Sequence, residues 1–223
     1  MNHRIKLLIF VLCAVAVVLV LNVGYSALNT ISRLNAVEMK RDEWQQPNRI
    51  VQALDLKPGN VVVDLGCGSG YFTLKLSSLV GQEGRVVAED IRRLPLTFLW
   101  FRTLSKPEHN VEIVLGNPTD PRLPAHVNAV LILNTYHEFT DAKSILGHVS
   151  ESLVAEGRLV VVDRAPKRLA VGAPAGGAEH EVPVEQVQAE LLQGGFEVVS
   201  REDRLIDRDP DNETWWLITA RKP

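Results

Sequence analysis

Val61-Val62-Val63-Asp64-Leu65-Gly66-Cys67-Gly68-Ser69-Gly70-Tyr71-Phe72 is the stretch that decides how the rest of this chain is read. Three consecutive valines predict a strand buried on both faces, and Asp64 falls where that strand ends. Gly66, Gly68 and Gly70 follow, and then Phe72, Leu74, Leu76 and Leu79 recur at helical spacing. Strand, glycine-rich turn and helix is the arrangement a nucleotide-like ligand needs, because its atoms must approach backbone that carries no side chain. Spacing narrows the ligand. A dinucleotide fingerprint would place its third glycine at position 71, where this chain has Tyr71. A phosphate-binding P-loop would need Gly-Lys-Ser/Thr, which the run lacks. About twenty residues after Gly70, Arg85-Val86-Val87-Ala88-Glu89-Asp90-Ile91 predicts a second strand ending in acids.

An acid two residues before the first glycine, followed by Gly-x-Gly-x-Gly, resembles the first motif of class I S-adenosylmethionine-dependent methyltransferases. The resemblance implies an α/β, Rossmann-like fold with a seven-stranded, mostly parallel sheet whose last strand is antiparallel. It implies S-adenosylmethionine as cofactor, admitted by Gly66, Gly68, Gly70 and Tyr71, with Asp64 anchoring the turn and the methionine amino end. An acid at the end of the second strand would hold the ribose hydroxyls. Asp90 fits the family's small-apolar-acid-apolar ending, and Glu89 is the alternative. After a third strand, Val111-Glu112-Ile113-Val114-Leu115-Gly116, the family sets an acid or amide against the adenine amino group. The loop here is longer than usual, so Asn117 and Asp120 are both candidates, with a plain proline-rich turn as the competing reading.

A fourth strand, Ala129-Val130-Leu131-Ile132-Leu133, delivers Asn134-Thr135-Tyr136-His137-Glu138-Phe139 to the carboxyl edge, where ligands bind in open α/β sheets. Asn134 is expected beside the cofactor. His137 is the candidate catalytic residue, as a base for a hydroxyl or amine acceptor. Bracing of its own loop is the competing role and the expected one, since methyl transfer often needs alignment alone. A helix over residues 145–153 and a strand ending at Asp163 come next. Between them Ala155-Glu156-Gly157 replaces the family's Leu-x-Pro-Gly-Gly turn, with Gly157 expected to end the helix. Residues 165–178, rich in Gly, Pro and Ala, predict a mobile lid, followed by His180, where similar chains also carry a histidine. A helix over residues 184–192 and an antiparallel hairpin of residues 196–201 and 214–220 close the sheet. Leu94-Pro95-Leu96-Thr97-Phe98-Leu99-Trp100-Phe101 is nearly all apolar between Arg92, Arg93, Arg102 and Lys106. Core packing is the expectation there, and contact with a membrane interface the alternative.

The N-terminus reads differently. After Arg4 and Lys6 comes an unbroken apolar run over residues 7–21, continued more loosely by Val23, Tyr25 and Leu28. As a helix, residues 7–25 cover about 28 Å, close to a hydrocarbon core. A secretory signal peptide also starts basic and turns apolar, but Gly24-Tyr25-Ser26 is a weak cleavage site. The organisation expected is an anchor over residues 1–28, a charged helical connector over 29–44, and a methyltransferase domain over 45–223. Arg4 and Lys6 before the span nearly balance Arg33, Lys40 and Arg41 after it. Cytoplasmic supply of S-adenosylmethionine puts the domain of this single-pass membrane protein in the cytoplasm; export after cleavage is the alternative. Trp44-Gln45-Gln46-Pro47 recurs in a poorly characterised bacterial group that this chain resembles from about Asp42 onward. It either covers the cofactor or packs and starts a helix.

A net charge of -3 over 223 residues argues against nucleic acid as a partner. Cys13 and Cys67 are the only cysteines, so neither a disulfide nor a zinc site is expected. The expected function is methyl transfer to a small, lipid-soluble acceptor, with protein or RNA as second choice. A non-catalytic cofactor-binding module is a further class. So is a nicotinamide oxidoreductase, which Tyr71 and Asp64 oppose.

Overall fold

The computed structural model describes residues 3–104, 106–167, 180–208 and 213–223. Most of the expected lid, from residue 168 on, lies outside them. The chain divides into two compact units, Met1–Glu43 and Trp44–Pro223.

The first unit is formed by one helix, α1 (His3–Trp44), whose last residue already belongs to the second unit and which has no buried residue. Its best window has a mean hydropathy of 3.0, apolar and long enough to cross a membrane, a test a signal sequence also passes. Polar side chains in and beside the apolar run turn back onto the helix. Asn22 Nδ2 donates to Val18 O at 2.9 Å, and Thr30 Oγ1 to Ser26 O at 2.9 Å. That return satisfies groups that hydrocarbon would leave unpaired.

The second unit is built on a seven-stranded sheet: β1 (Val61–Leu65), β2 (Arg85–Asp90), β3 (Val111–Leu115), β4 (Val127–Leu133), β5 (Leu153–Arg164), β6 (Glu197–Arg208) and β7 (Glu213–Arg221). Their order is β3-β2-β1-β4-β5-β7-β6. The first five run parallel, and β7 lies antiparallel between β5 and β6. This is the expected Rossmann-like sheet with its reversed last strand. Period-two alternation splits the core. Val62, Leu131 and Val160 face α2 (Pro47–Ala53) and α3 (Tyr71–Val80). Val63, Val130 and Val161 face α5 (Ala142–Ser152) and α6 (Val184–Gln193). Strands buried on both sides explain the uninterrupted valine runs.

Three expectations are corrected. Leu79 is exposed; the buried stripe of α3 is Phe72, Leu76 and Val80, four residues apart. In α4 (Arg93–Thr103), Leu96 and Leu99 are buried, but Trp100 and Phe101 are 50% and 43% exposed and are not core. Gly157 does not end α5, which stops at Ser152 and passes directly into β5. Glu156 takes the left-handed turn at φ 61, and Gly157 is needed because a Cβ would lie 2.8 Å from Val154 O.

Candidate functional site

β1 and β4 are neighbours whose crossovers run in opposite directions along the sheet, so a crevice opens at their carboxyl ends. All three motif glycines there have positive φ, but they serve different ends. A Cβ on Gly66 would sit 2.3 Å from Thr135 Cγ2, and one on Gly70 2.3 Å from Leu99 Cδ1. Those two let neighbouring elements pack. Gly68 has nothing within 4 Å, so its missing side chain leaves open space over the turn. Gly66 N and Cys67 N donate to Glu89 O at 2.9 and 2.8 Å, which ties the turn to β2. Asp64 is buried, and its Oδ2 accepts from Thr73 Oγ1 at 2.6 Å, locking the strand end to the first turn of α3. Burial, with Asp64, Asp90 and Glu89 nearby, pushes the Cys67 thiol up, so it stays protonated. Tyr71 is packed in the core with its ring edge-on to Phe72 at 4.9 Å, rather than on the crevice wall.

Asp90 stands on that wall with Gly66, Ile91, Arg92, Asn117 and Glu138. Its Oδ2 accepts from Gly68 N at 2.9 Å and its Oδ1 from Arg92 N at 2.8 Å. The exposed Arg92 guanidinium lies across both oxygens at 3.2 and 3.3 Å, and this bond raises the arginine's pKa. Asn117 Oδ1 is committed to its own turn, accepting from Asp120 N at 2.9 Å and Thr119 N at 3.1 Å. What Asn117 offers a ligand is therefore the Nδ2 donor. Asp120 Oδ1 accepts from Arg122 N at 2.8 Å and is not on the wall. Asn134 takes a left-handed φ of 53, donates its N–H to Val162 O at 2.8 Å, and keeps a buried Oδ1 that has no partner among the described residues.

The His137 side chain is 2% exposed and the residue is held twice by Asp163, which is fully buried at the end of β5. Its backbone N–H donates to Asp163 Oδ2 at 3.1 Å, and its Nδ1 lies 2.9 Å from Oδ1. A carboxylate only accepts, so Nδ1 carries the proton and Nε2, 3.9 Å from Glu138 Oε1, is the remaining nitrogen. His137 lines a separate hollow with Glu181, Gln186 and Glu190, not the crevice of Asp90. The His180 ring stands 5.5 Å from it.

One residue escaped the sequence reading of the site. Asp163 had only its place at the end of a valine run as a signal. Glu89, the alternative to Asp90, lines the crevice beside it and projects over Gly116, where a Cβ would meet its Oε1 at 2.0 Å. Burial raises its pKa to about 8, against the Gly66 N–H, with Asp90, Asp64 and Asp120 adding repulsion. Among the described residues no His, Cys, Asp or Glu cluster is arranged to hold a metal. Trp44 packs on Trp215, with ring centres 6.0 Å apart, and Pro47 begins α2.

The features present fit S-adenosylmethionine. Gly68 leaves backbone open, Asp90 presents a buried carboxylate, and Asn134 keeps an unpaired acceptor. Comparison with known proteins agrees. A family profile described as a methyltransferase domain matches residues 56–217. Protein-L-isoaspartate O-methyltransferase of Methanococcus aeolicus is 36% identical over 101 residues, 44% of this chain and 40% of that protein. 2-Phytyl-1,4-naphtoquinone methyltransferase of Thermosynechococcus vestitus is 30% identical over 121 residues, 54% of this chain and 52% of that protein. The chain thus spans about half or less of these curated relatives. A SAM-dependent methyltransferase from Aquifex aeolicus superposes with a TM-score of 0.68 at 21% identity, over 79% of this chain and 89% of that one. The chain therefore belongs to the methyltransferase-domain family, on the class I fold that takes S-adenosylmethionine as cofactor.

Proposed function

We propose that this chain transfers the methyl group of S-adenosylmethionine to a small, lipid-soluble acceptor from a domain tethered to a membrane by α1. The single observation that carries the transfer is the crevice at the β1/β4 switch point, with Gly68 open and Asp90 fixed over it. Bound there, the cofactor supplies an electrophilic methyl on a sulfonium. The protein's part is alignment. Gly66 and Gly70 shape the turn and Gly68 admits the ligand, while Asp64 holds the turn through Thr73. Asp90 takes the ribose hydroxyls in place of the Arg92 side chain, Asn117 meets the adenine edge, and Asn134 Oδ1 accepts from the methionine end. Tyr71 and Asp120 act from behind this layer, by packing and by shaping the loop. His137, pinned by Asp163 outside the crevice, braces the loop that carries Asn134 and Thr135. Exclusion of bulk water and alignment of the acceptor provide the rate.

The lipid-soluble acceptor rests on α1 and on the relative whose name carries a phytyl-naphthoquinone. The isoaspartate relatives keep protein as a second reading. Calorimetry on the full chain tests the core of the proposal. S-adenosylhomocysteine should bind and NAD should not, and Asp90→Ala should weaken binding by roughly 1.5–3 kcal/mol for each charge-assisted bond lost. Absence of cofactor binding by the folded wild type overturns it. The tether predicts retention in membranes through alkaline wash, with the mature chain starting near Met1. A mature start near residue 27 overturns the tether and leaves the transfer reading intact.

A further inference from the structure

β5 ends by sending Asp163 to the face that carries His137 and Arg164 to the opposite face. There Arg164 pairs in register with Trp215 of β7, and its guanidinium lies 5.7 Å from the centre of the Trp215 ring. Arg164 Nε is buried and makes no hydrogen bond among the described residues. Glu213 Oε1 stands 3.8 Å from Nη1, and Glu213 is already taken through Oε2 by Arg208 at 3.0 Å. Trp215 is 4% exposed, yet its Nε1–H is likewise buried without a partner among the described residues.

The neighbouring indole shows how unusual this is. Trp216 points to the other face and its Nε1 donates to Val182 O at 2.9 Å. Buried N–H donors find acceptors in proteins, so two orphans on paired residues mark a place where an acceptor belongs. Trp44 closes the same corner, against Trp215 and beneath the Arg208 guanidinium at 4.3 Å.

The corner lies at the same carboxyl edge as the cofactor crevice, one strand further along the sheet, because β5 pairs with β4 and Leu133 stands opposite Val162. Gly66 packs on Thr135, and Asn134 beside it donates to Val162 O, two residues before Arg164. A methyl acceptor must lie next to the cofactor, and this corner offers it a guanidinium, an indole N–H and two aromatic walls. We propose that Arg164 and Trp215 recognise an anionic group, a carboxylate or phosphate, on a methyl acceptor whose flat apolar body lies against Trp44 and Trp215. This rests on the methyltransferase reading and narrows its acceptor to an amphiphilic acid. A planar guanidinium fork suits either oxyanion, and the indole donor adds a second bond.

The test uses the full chain in zwitterionic phosphatidylcholine nanodiscs, loaded with S-adenosylhomocysteine, and saturation-transfer NMR with four probes. Benzoate and phenyl phosphate should bind about tenfold more tightly than benzyl alcohol and benzylamine. Arg164→Gln should erase that preference, and Trp215→Phe, which keeps the ring and removes the donor, should reduce it severalfold. S-adenosylhomocysteine affinity, measured by calorimetry, should stay within about twofold in both variants. No preference for the anions, or a preference that survives Arg164→Gln, overturns the proposal. So does a roughly tenfold loss of S-adenosylhomocysteine affinity in Arg164→Gln, which would assign the donors to the cofactor's own carboxylate. If Arg164→Gln does not fold, Trp215→Phe decides, and an undiminished preference overturns it. Failure of the wild type to bind S-adenosylhomocysteine at all sinks the methyltransferase reading instead.

Discussion

The two halves of the carboxyl edge are built on different principles. On the β1-β2-β3 side, recognition is written mostly in backbone. Three positive-φ glycines and the Glu89 carbonyl fix the turn, and Asp90 grips a backbone N–H. On the β4-β5-β7 side, side chains distant in sequence do the work. Asp163 orders His137 across 26 residues, and Trp44, Arg164 and Trp215 converge from three separate elements. A backbone solution leaves a contiguous trace, because only glycine fits its conformations. A side-chain solution leaves none.

The sharpest way to break this contrast is to add one methyl group at each motif glycine. Gly70→Ala drives a Cβ to 2.3 Å from Leu99 Cδ1 at a φ of 89. Strain and overpacking together should cost roughly 2–5 kcal/mol, read as a lowered denaturant midpoint. Gly68→Ala meets no protein atom within 4 Å. It should cost only about 1 kcal/mol of stability for the left-handed φ while S-adenosylhomocysteine affinity falls about a hundredfold. Equal stability losses at both positions, with binding intact at Gly68→Ala, would erase the distinction between packing and ligand glycines.

On the other half, His137→Ala should lower stability by about 1.5–3 kcal/mol, since it takes the ring donor from the buried Asp163 carboxylate and leaves it only the backbone N–H groups of residues 137 and 164. Cofactor affinity should fall with it, because the same loop carries Asn134 and Thr135. An isolated loss of turnover, with stability and affinity unchanged, would make His137 a base instead of a brace.

The strands of the sheet and the glycine turn were legible because each is fixed by local pattern: valine runs, glycine spacing, acids at strand ends. The place of Asp90 on the crevice wall was legible by its distance from the turn, and the loop after β3 was legible only to within Asn117, which lines the crevice, and Asp120, which does not. Tyr71 was misplaced, since adjacency to the motif says nothing about which way a ring turns at a helix start. Arg164, Trp215 and Asp163 were illegible as a site, because antiparallel register across β5 and β7 sets their meeting and no local signal encodes it. Trp100 and Phe101 were read as core from composition, whereas only the helix phase decides which side of α4 is buried.

Glu89 gives a pH handle on the backbone-built half. Its folded pKa of about 8 lies above the ordinary value of 4.5, so between these limits the folded state holds a proton that the unfolded state has released. Stability therefore falls as pH rises from about 5 to about 8. Glu89→Gln removes that titration and should flatten the slope, by an amount on the order of a few kcal/mol at the alkaline end. Parallel pH–stability curves for wild type and Glu89→Gln would show that Glu89 is ionised in the fold throughout.

The smallest effect expected on the fold comes from the apolar surface of α4, which backs the cofactor half through Leu99 and Gly70. Trp100 and Phe101 meet edge-on at 4.9 Å, both about half exposed, beside exposed Leu94 and Leu104. Because they are not core, Trp100→Ser with Phe101→Ser should cost under about 1 kcal/mol, whereas Leu99→Ala, fully buried, should cost roughly 2–5 kcal/mol. Arg92 and Arg93 lie exposed at the start of the same helix, so the patch joins aromatic area to positive charge, the combination that favours an anionic membrane interface. Residues 44–223 alone should therefore sediment weakly with anionic vesicles, and the double serine variant should lose that association while keeping its unfolding midpoint. A large drop in the midpoint would return these rings to the core. Undiminished vesicle binding by a folded double variant would place the contact elsewhere, and the exposed rings would then have no part in holding the domain at a lipid surface.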